Sequence, residues 1–132
     1  MSYLVLYFTS AAVFLVLDAL MLRFAMGPLF ERHVGSILYD SPRVGPAALF
    51  YLFYVAVLVW IVAHDHVEAP PMGHIALNAF LFGAAAYGTY EFTNLSTIRG
   101  WSIQMVALDV TWGAVLSMIS VVVGVLVTRA VT

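Results

Sequence analysis

The sequence predicts an all-α membrane protein: a four-transmembrane-helix bundle with a short interfacial helix between helices 1 and 2. Three observations carry that expectation. Of 132 residues, 64% are hydrophobic and 9% charged, whereas soluble domains run at about 45–50% apolar and about 25% charged. Mean hydropathy is +1.01, more apolar surface than a fold of this size hides without lipid as its solvent. And the apolar residues fall into four stretches separated by short connections, each near the about 20 residues that a helix needs to cross a bilayer. Residues 1–132 read as a single integral membrane domain, without internal repeats or low-complexity tracts.

The first span is expected over Tyr3–Phe24. Ala25-Met26-Gly27 has the look of a signal-peptide cleavage site, but no Lys or Arg precedes the stretch, it is long for a signal core, and it contains Asp18, so it reads as a retained helix. In the connection that follows, Pro28 is placed to open a helix. Leu29, Phe30, His33, Val34, Ile37 and Leu38 fall near one face, with Glu31, Arg32 and Asp40 mostly off it, the pattern of a helix lying in the headgroup layer. The second span is expected over Val44–Ala63, the third over His74–Leu95 and the fourth over Met105–Thr128. Pro70 and Pro71 enforce a turn between the second and third, and Ser96–Gln104 joins the third to the fourth.

Charge orients the bundle. Arg23, Arg32 and Arg43 flank the first loop and Arg99 lies in the third, on the same side, against Arg129 alone on the other. The positive-inside rule then puts both loops in the cytoplasm and both termini outside. Trp60, Trp101, Tyr39 and Tyr51 lie near predicted boundaries, as interface aromatics do. Several function classes drop out. Five scattered arginines make no nucleic-acid footprint. The absence of cysteine excludes disulfides, thiol nucleophiles, cysteine-ligated zinc, iron–sulfur clusters and covalently attached c-type haem. No Walker A, Gly-x-Ser-x-Gly or His-Glu-x-x-His motif occurs.

Helices in lipid associate through close packing and polar contacts. The third span carries Gly83, Ala84, Ala85, Ala86 and Gly88, with Ala84 and Gly88 as a small-xxx-small pair. The fourth carries Gly113, Ser117, Ser120 and Gly124 on one face. Both read as backbone-to-backbone packing of these two helices.

The residues that do not belong in an apolar span are Asp18, Glu91 and Asp109. Each costs on the order of 2.5–3.5 kcal/mol at the bilayer centre. Counted from the span ends at about 1.5 Å per residue, all three sit about 6–9 Å below the same interface. Tyr87, Tyr90, Glu91 and Asn94 are helical neighbours on the third span, Asp109 and Trp112 are three apart on the fourth, Tyr54 lies at similar depth on the second, and Arg23 and Arg99 stand at the rim. One reading is structural, acids hydrogen-bonded to tyrosine and asparagine as glue. The other is a pocket or proton-handling layer, in which mutual repulsion leaves at least one acid protonated at neutral pH. Asn78 reads as an interhelical hydrogen-bonding residue.

A second constellation, His64, His66 and His74 with Asp65, Glu68 and Met72, is a weak metal candidate, and helix-end histidines at an interface are a poorer haem pair still. No metal is assigned, no cofactor is named, and His33 reads as interfacial.

Several stretches carry a resemblance: Leu17-Asp18-Ala19, Phe50-Tyr51-Leu52-Phe53-Tyr54-Val55-Ala56, the run Ala86–Trp101 with Tyr90-Glu91-Phe92-Thr93-Asn94-Leu95 and Arg99-Gly100-Trp101 inside it, and Asp109-Val110-Thr111-Trp112-Gly113. They resemble a bacterial family of small four-helix membrane proteins known as a domain of unknown function, numbered in the two-thousand-one-hundreds of that series. The likeness covers nearly the whole chain. That family more often has Asp in place of Glu91, and Trp near Met21. The resemblance implies a bacterial inner-membrane protein and no particular activity.

The functional expectation is a binding or transport module. Asp18, Tyr54, Tyr87, Tyr90, Glu91, Asn94, Asp109 and Trp112, with Arg99 at the rim, would form a polar pocket near the cytoplasmic leaflet for a small amphipathic or lipid-like molecule. The alternatives are an enzyme acting on a lipid or isoprenoid, with Glu91 or Asp109 as general acid or base assisted by Tyr87 or Tyr90, and a structural or assembly subunit. The expected partners are the bilayer, such a ligand and a second copy in a homodimer, with no nucleic acid.

Overall fold

The computed structural model describes residues 2–38, 44–63 and 72–131. The helices are α1 (Ser2–Met21), α2 (Gly27–Val34), α3 (Val44–Val62), α4 (Met72–Thr97) and α5 (Ile103–Val131). The four long ones cover the four apolar stretches to within three residues at every end. Tyr39, Asp40, Arg43 and the His64–Pro71 stretch, with His64 and His66, lie outside the described residues.

Lipid is the solvent these helices are built for. Large apolar side chains face outward along them: Phe8, Val16 and Leu20 on α1, Leu49, Phe53 and Ile61 on α3, Leu77 and Leu81 on α4. Among the described residues, Tyr3–Ile37, Gly45–Val62 and Ile103–Val131 are long and apolar enough to cross a membrane. At 26 residues, or about 39 Å, α4 is long enough too. Its glycines, tyrosines, Asn78, Glu91 and Asn94 make it less apolar; Asn78 is exposed and not set between helices as expected, and the packing of α4 shows where the rest of that polarity goes.

One row of α4, Ile75, Ala79, Gly83, Tyr87 and Glu91, repeats every fourth residue, so it forms a single ridge. It lies against α5, where Gly113, Ser117, Ser120 and Gly124 are all buried. The approach is close enough to require glycine. A Cβ on Gly83 would collide with the Gly113 carbonyl and come within 2.6 Å of Ser117 Oγ, and one on Gly113 would run into the Tyr87 ring. This corrects half of the expected seam. The α5 stripe is the contact, but on α4 the close residue is Gly83, not Gly88, whose added Cβ would meet only Phe92 Cδ2 at 3.9 Å. Ala84 and Gly88 sit one position round from the buried ridge.

The far side of the same α5 stripe receives α1. A Cβ on Gly124 would strike Ser10 Oγ and crowd Leu6 at 3.2 Å, and Trp112, earlier on α5, bonds Asp18, later on α1. The two helices are therefore antiparallel. Leu6, Phe14, Leu116, Val121 and Val125 join Val55, Leu58, Val59 and Val62 of α3 in the main apolar core. Tyr3 and Tyr7 donate from α1 to the Ala56 and Leu52 carbonyls of α3, both at 3.1 Å.

The short amphipathic helix is present as α2, joined to α1 through a π-helical stretch, Leu22–Met26. Sequence supplies the cause. Pro28 has no N–H, and its ring presses on the carbonyl four residues back. The helix widens just upstream, with the Gly27 N–H donating to Leu22 O. A Cβ at position 27 would collide with that carbonyl. Leu29 and Val34 of α2, with Met26, bury against Met105, and Phe30 packs on Trp101 at 5.4 Å between rings. The α4–α5 turn closes over α2 at Gly100, whose φ of +91° is one that glycine adopts freely. A Cβ there would lie 2.9 Å from His33 O.

Helix α3 is the outlier. Its buried residues begin at Tyr54, and its first turns, ahead of Tyr51, stay largely exposed.

Candidate functional site

The gap left by α3 is a cavity of ≈ 390 Å³. It lies at the end of the bundle where α1 and α4 finish and α3 and α5 begin, the end that carries Arg23, Arg32 and Arg99. One wall is a stripe of every fourth residue, Asp18, Leu22, Met26 and Phe30, that runs unbroken from α1 through the π-helical stretch into α2. Ala47, Phe50, Tyr51 and Tyr54 of α3 face it, spaced as one helical face. The floor is Ala86, Tyr87 and Tyr90 of α4 with Asp109 of α5. Leu22, Phe50 and Tyr90 are 40%, 60% and 52% exposed, so they mark the mouth.

Asp18, Glu91 and Asp109 are 4%, 0% and 8% exposed. They come from three helices and meet in one layer. Trp112 Nε1 donates to Asp18 Oδ1 at 3.3 Å, and the Tyr51 hydroxyl stands beside the same carboxyl. Asp18 Oδ2 is buried without a hydrogen-bond partner. Trp101 Nε1 donates to Glu91 Oε1 at 2.9 Å, while Glu91 Oε2 finds no donor of that kind. The Asp109 carboxyl lies against Glu91. Asp109 is also within electrostatic reach of Asp18.

Tyrosines complete the layer. Tyr54 shares a hydrogen bond with Ser117 at 2.9 Å and packs edge-on to Tyr87, 6.3 Å between ring centres. Tyr87 Oη is buried and unpartnered. Tyr90 bonds Asn94 and meets Trp101 edge-on at 5.9 Å.

Of the residues singled out from sequence, Asp18, Tyr54, Tyr87, Tyr90 and Asp109 line the cavity. Trp112 backs it through Asp18, and Glu91 is sealed beneath Asp109 by Trp101. Asn94 is half-buried behind Tyr90. Arg23 lies over the Phe24 ring, 5.5 Å from its centre, and Arg99 is exposed. Among the described residues neither forms a salt bridge with an acid. His74 is exposed at the start of α4, and the described residues hold no group of three or more potential metal ligands. His33 donates from Nδ1 to Leu29 O at 3.0 Å.

Two participants were missed. Tyr51 and Trp101 both look like interface aromatics in the sequence, yet one stands on Asp18 and the other on Glu91. For Tyr51 a signal existed: it precedes Tyr54 by three residues and shares its face. For Trp101 none did beyond the glycine before it.

A family model described as a predicted membrane protein, DUF2177, matches residues 3–126. No curated protein and no solved structure matches the chain.

Proposed function

The chain belongs to the DUF2177 family of predicted membrane proteins, and from that premise we propose that it is a membrane-embedded binding or transport module for a small amphipathic molecule. The observation that supports this is the cavity itself. Its ≈ 390 Å³ falls within the range of about 300–1,000 Å³ typical of small-molecule sites, and its lining is aromatic and aliphatic with a few convergent polar groups. A mouth between α1, α3 and α4 suits a ligand that arrives from the bilayer. On this reading the membrane is a bacterial inner membrane, and the arginine bias favours this end in the cytoplasmic leaflet, with both termini outside. A homodimer would give so small a bundle the second half that transport across the membrane requires.

An enzymatic reading rests on Asp109 as acid or base with Tyr87 beside it. Glu91, under Trp101, does not reach the cavity to share that role. A structural subunit needs no ligand at all.

Native mass spectrometry of the protein purified into nanodiscs separates these readings. A binding module retains a stoichiometric amphiphile that disappears in Ala86→Trp, where an indole fills the floor of the cavity. An enzyme releases an altered one. A folded protein that is empty under every condition, with Ala86→Trp indistinguishable from it, overturns the binding reading in favour of the structural one.

A further inference from the structure

We propose that the molecule this cavity takes is a lipophilic organic cation, an amine or quaternary onium group on an apolar body; the assignment rests on the binding reading above and names its ligand class. The first argument is a charge inventory. Asp18 and Asp109 line the cavity and Glu91 lies behind Asp109, while the lining contains no Arg, Lys or His. Arg23 and Arg99 are both exposed and leave the acids without a cationic partner among the described residues. Among the described residues the layer has no countercharge. Acids within a membrane normally pair with a cation or line the path of one.

The second argument is that Asp18, although Trp112 and the Tyr51 hydroxyl stand at its carboxyl, keeps one oxygen short of a donor. Asp18 is 4% exposed, lines the cavity, and its Oδ2 has no hydrogen-bond partner. A buried polar group of this kind costs free energy until a donor or positive charge arrives. The third is the surround. Phe50, Tyr51, Tyr54, Tyr87 and Tyr90 ring the space between Asp18 and Asp109, and aromatic faces attract onium groups, most strongly when water is excluded. The apolar lining of the cavity disfavours a metal ion there. An anionic headgroup would face two carboxyls.

The test is equilibrium binding of labelled tetraphenylphosphonium to the purified full chain in detergent, beside tetraphenylborate, which has nearly the same shape and the opposite charge. The phosphonium should bind saturably. Affinity should fall at least tenfold in Asp18→Asn, which keeps an acceptor for Trp112, and again in Asp109→Asn, while Ala86→Trp abolishes it and the borate is not retained. The two-probe comparison on the unmodified chain needs no variant to fold. Equal retention of both ions, or phosphonium binding unchanged in both Asn variants, overturns the cation assignment. If neither ion binds and mass spectrometry finds a neutral or anionic amphiphile that Ala86→Trp displaces, the cavity reading stands and the cation class falls. If nothing bound responds to Ala86→Trp, both fall.

Discussion

Glu91 is a fully buried side chain held from two directions, by the Trp101 indole at 2.9 Å and by the Asp109 carboxyl. An amide can take both places, accepting from the indole through its oxygen and donating to Asp109 through its nitrogen. Glu91→Gln should therefore leave thermal stability in detergent nearly unchanged, within about 1 kcal/mol. Glu91→Leu has similar bulk but strands the Trp101 N–H and the Asp109 carboxyl, so it should cost about 2–4 kcal/mol, the sum of two unsatisfied buried groups. Thermal unfolding followed by size-exclusion recovery reads the difference, and equal losses in the two variants would show that Glu91 acts as bulk alone. At this scale the three acids were legible because a carboxylate in an apolar run is conspicuous residue by residue. Trp101 and Tyr51 were not, since an aromatic near a helix end has the same depth whether it faces headgroups or a buried acid. Only the third dimension tells those apart.

Between residues and bundle stands the α4–α5 seam, where glycine content alone misleads. Spacing identified the α5 face, and Gly113, Ser117, Ser120 and Gly124 are all buried there. On α4 the small residues Gly83 to Gly88 wrap most of the circumference, so spacing left two faces open, and tertiary packing chose the row through Gly83. The two glycines then predict opposite outcomes. Gly83→Ala forces a methyl into the Gly113 carbonyl and Ser117, and overpacking of a tight interface costs about 1–3 kcal/mol. Gly88→Ala meets nothing closer than 3.9 Å and removes the entropic penalty of glycine in a helix, so it should stabilise by about 0.5–1 kcal/mol. The same thermal assay reads both signs; a Gly88→Ala loss as large as that of Gly83→Ala would place the seam on the other face. The π-helical stretch was not legible at all. Pro28 was read as opening a new helix, but its effect on the turn before it depends on whether α1 and α2 stay continuous, which no local pattern decides.

The whole molecule is organised by α5, which α1, α3 and α4 all touch, and by the refusal of α3 to close at one end. Hydropathy revealed the four stretches, since length and apolarity are what a bilayer selects. The cavity was beyond it, because an opening arises from how far helices stand apart and not from what any one of them contains. Orientation is the remaining property of the whole, and it is argued from charge. Arg23, Arg32 and Arg99 lie at the cavity end, with Arg43 near them in sequence, and Arg129 lies at the other. A bias of four to one predicts that the cavity end faces the cytoplasm. The chain offers a clean background for the test because it has no cysteine, so any introduced thiol is the sole reporter. Ser36 and Ser96 are exposed at the cavity end and Ala130 at the opposite one. In intact bacterial cells a membrane-impermeant maleimide should label Ala130→Cys and leave Ser36→Cys and Ser96→Cys unmodified until the membrane is permeabilised. The reverse pattern would put the cavity in the outer leaflet, with its internal geometry unchanged but its ligand drawn from the other side. Labelling of all three in intact cells would mean that both orientations are inserted, the arrangement that an antiparallel dimer would use.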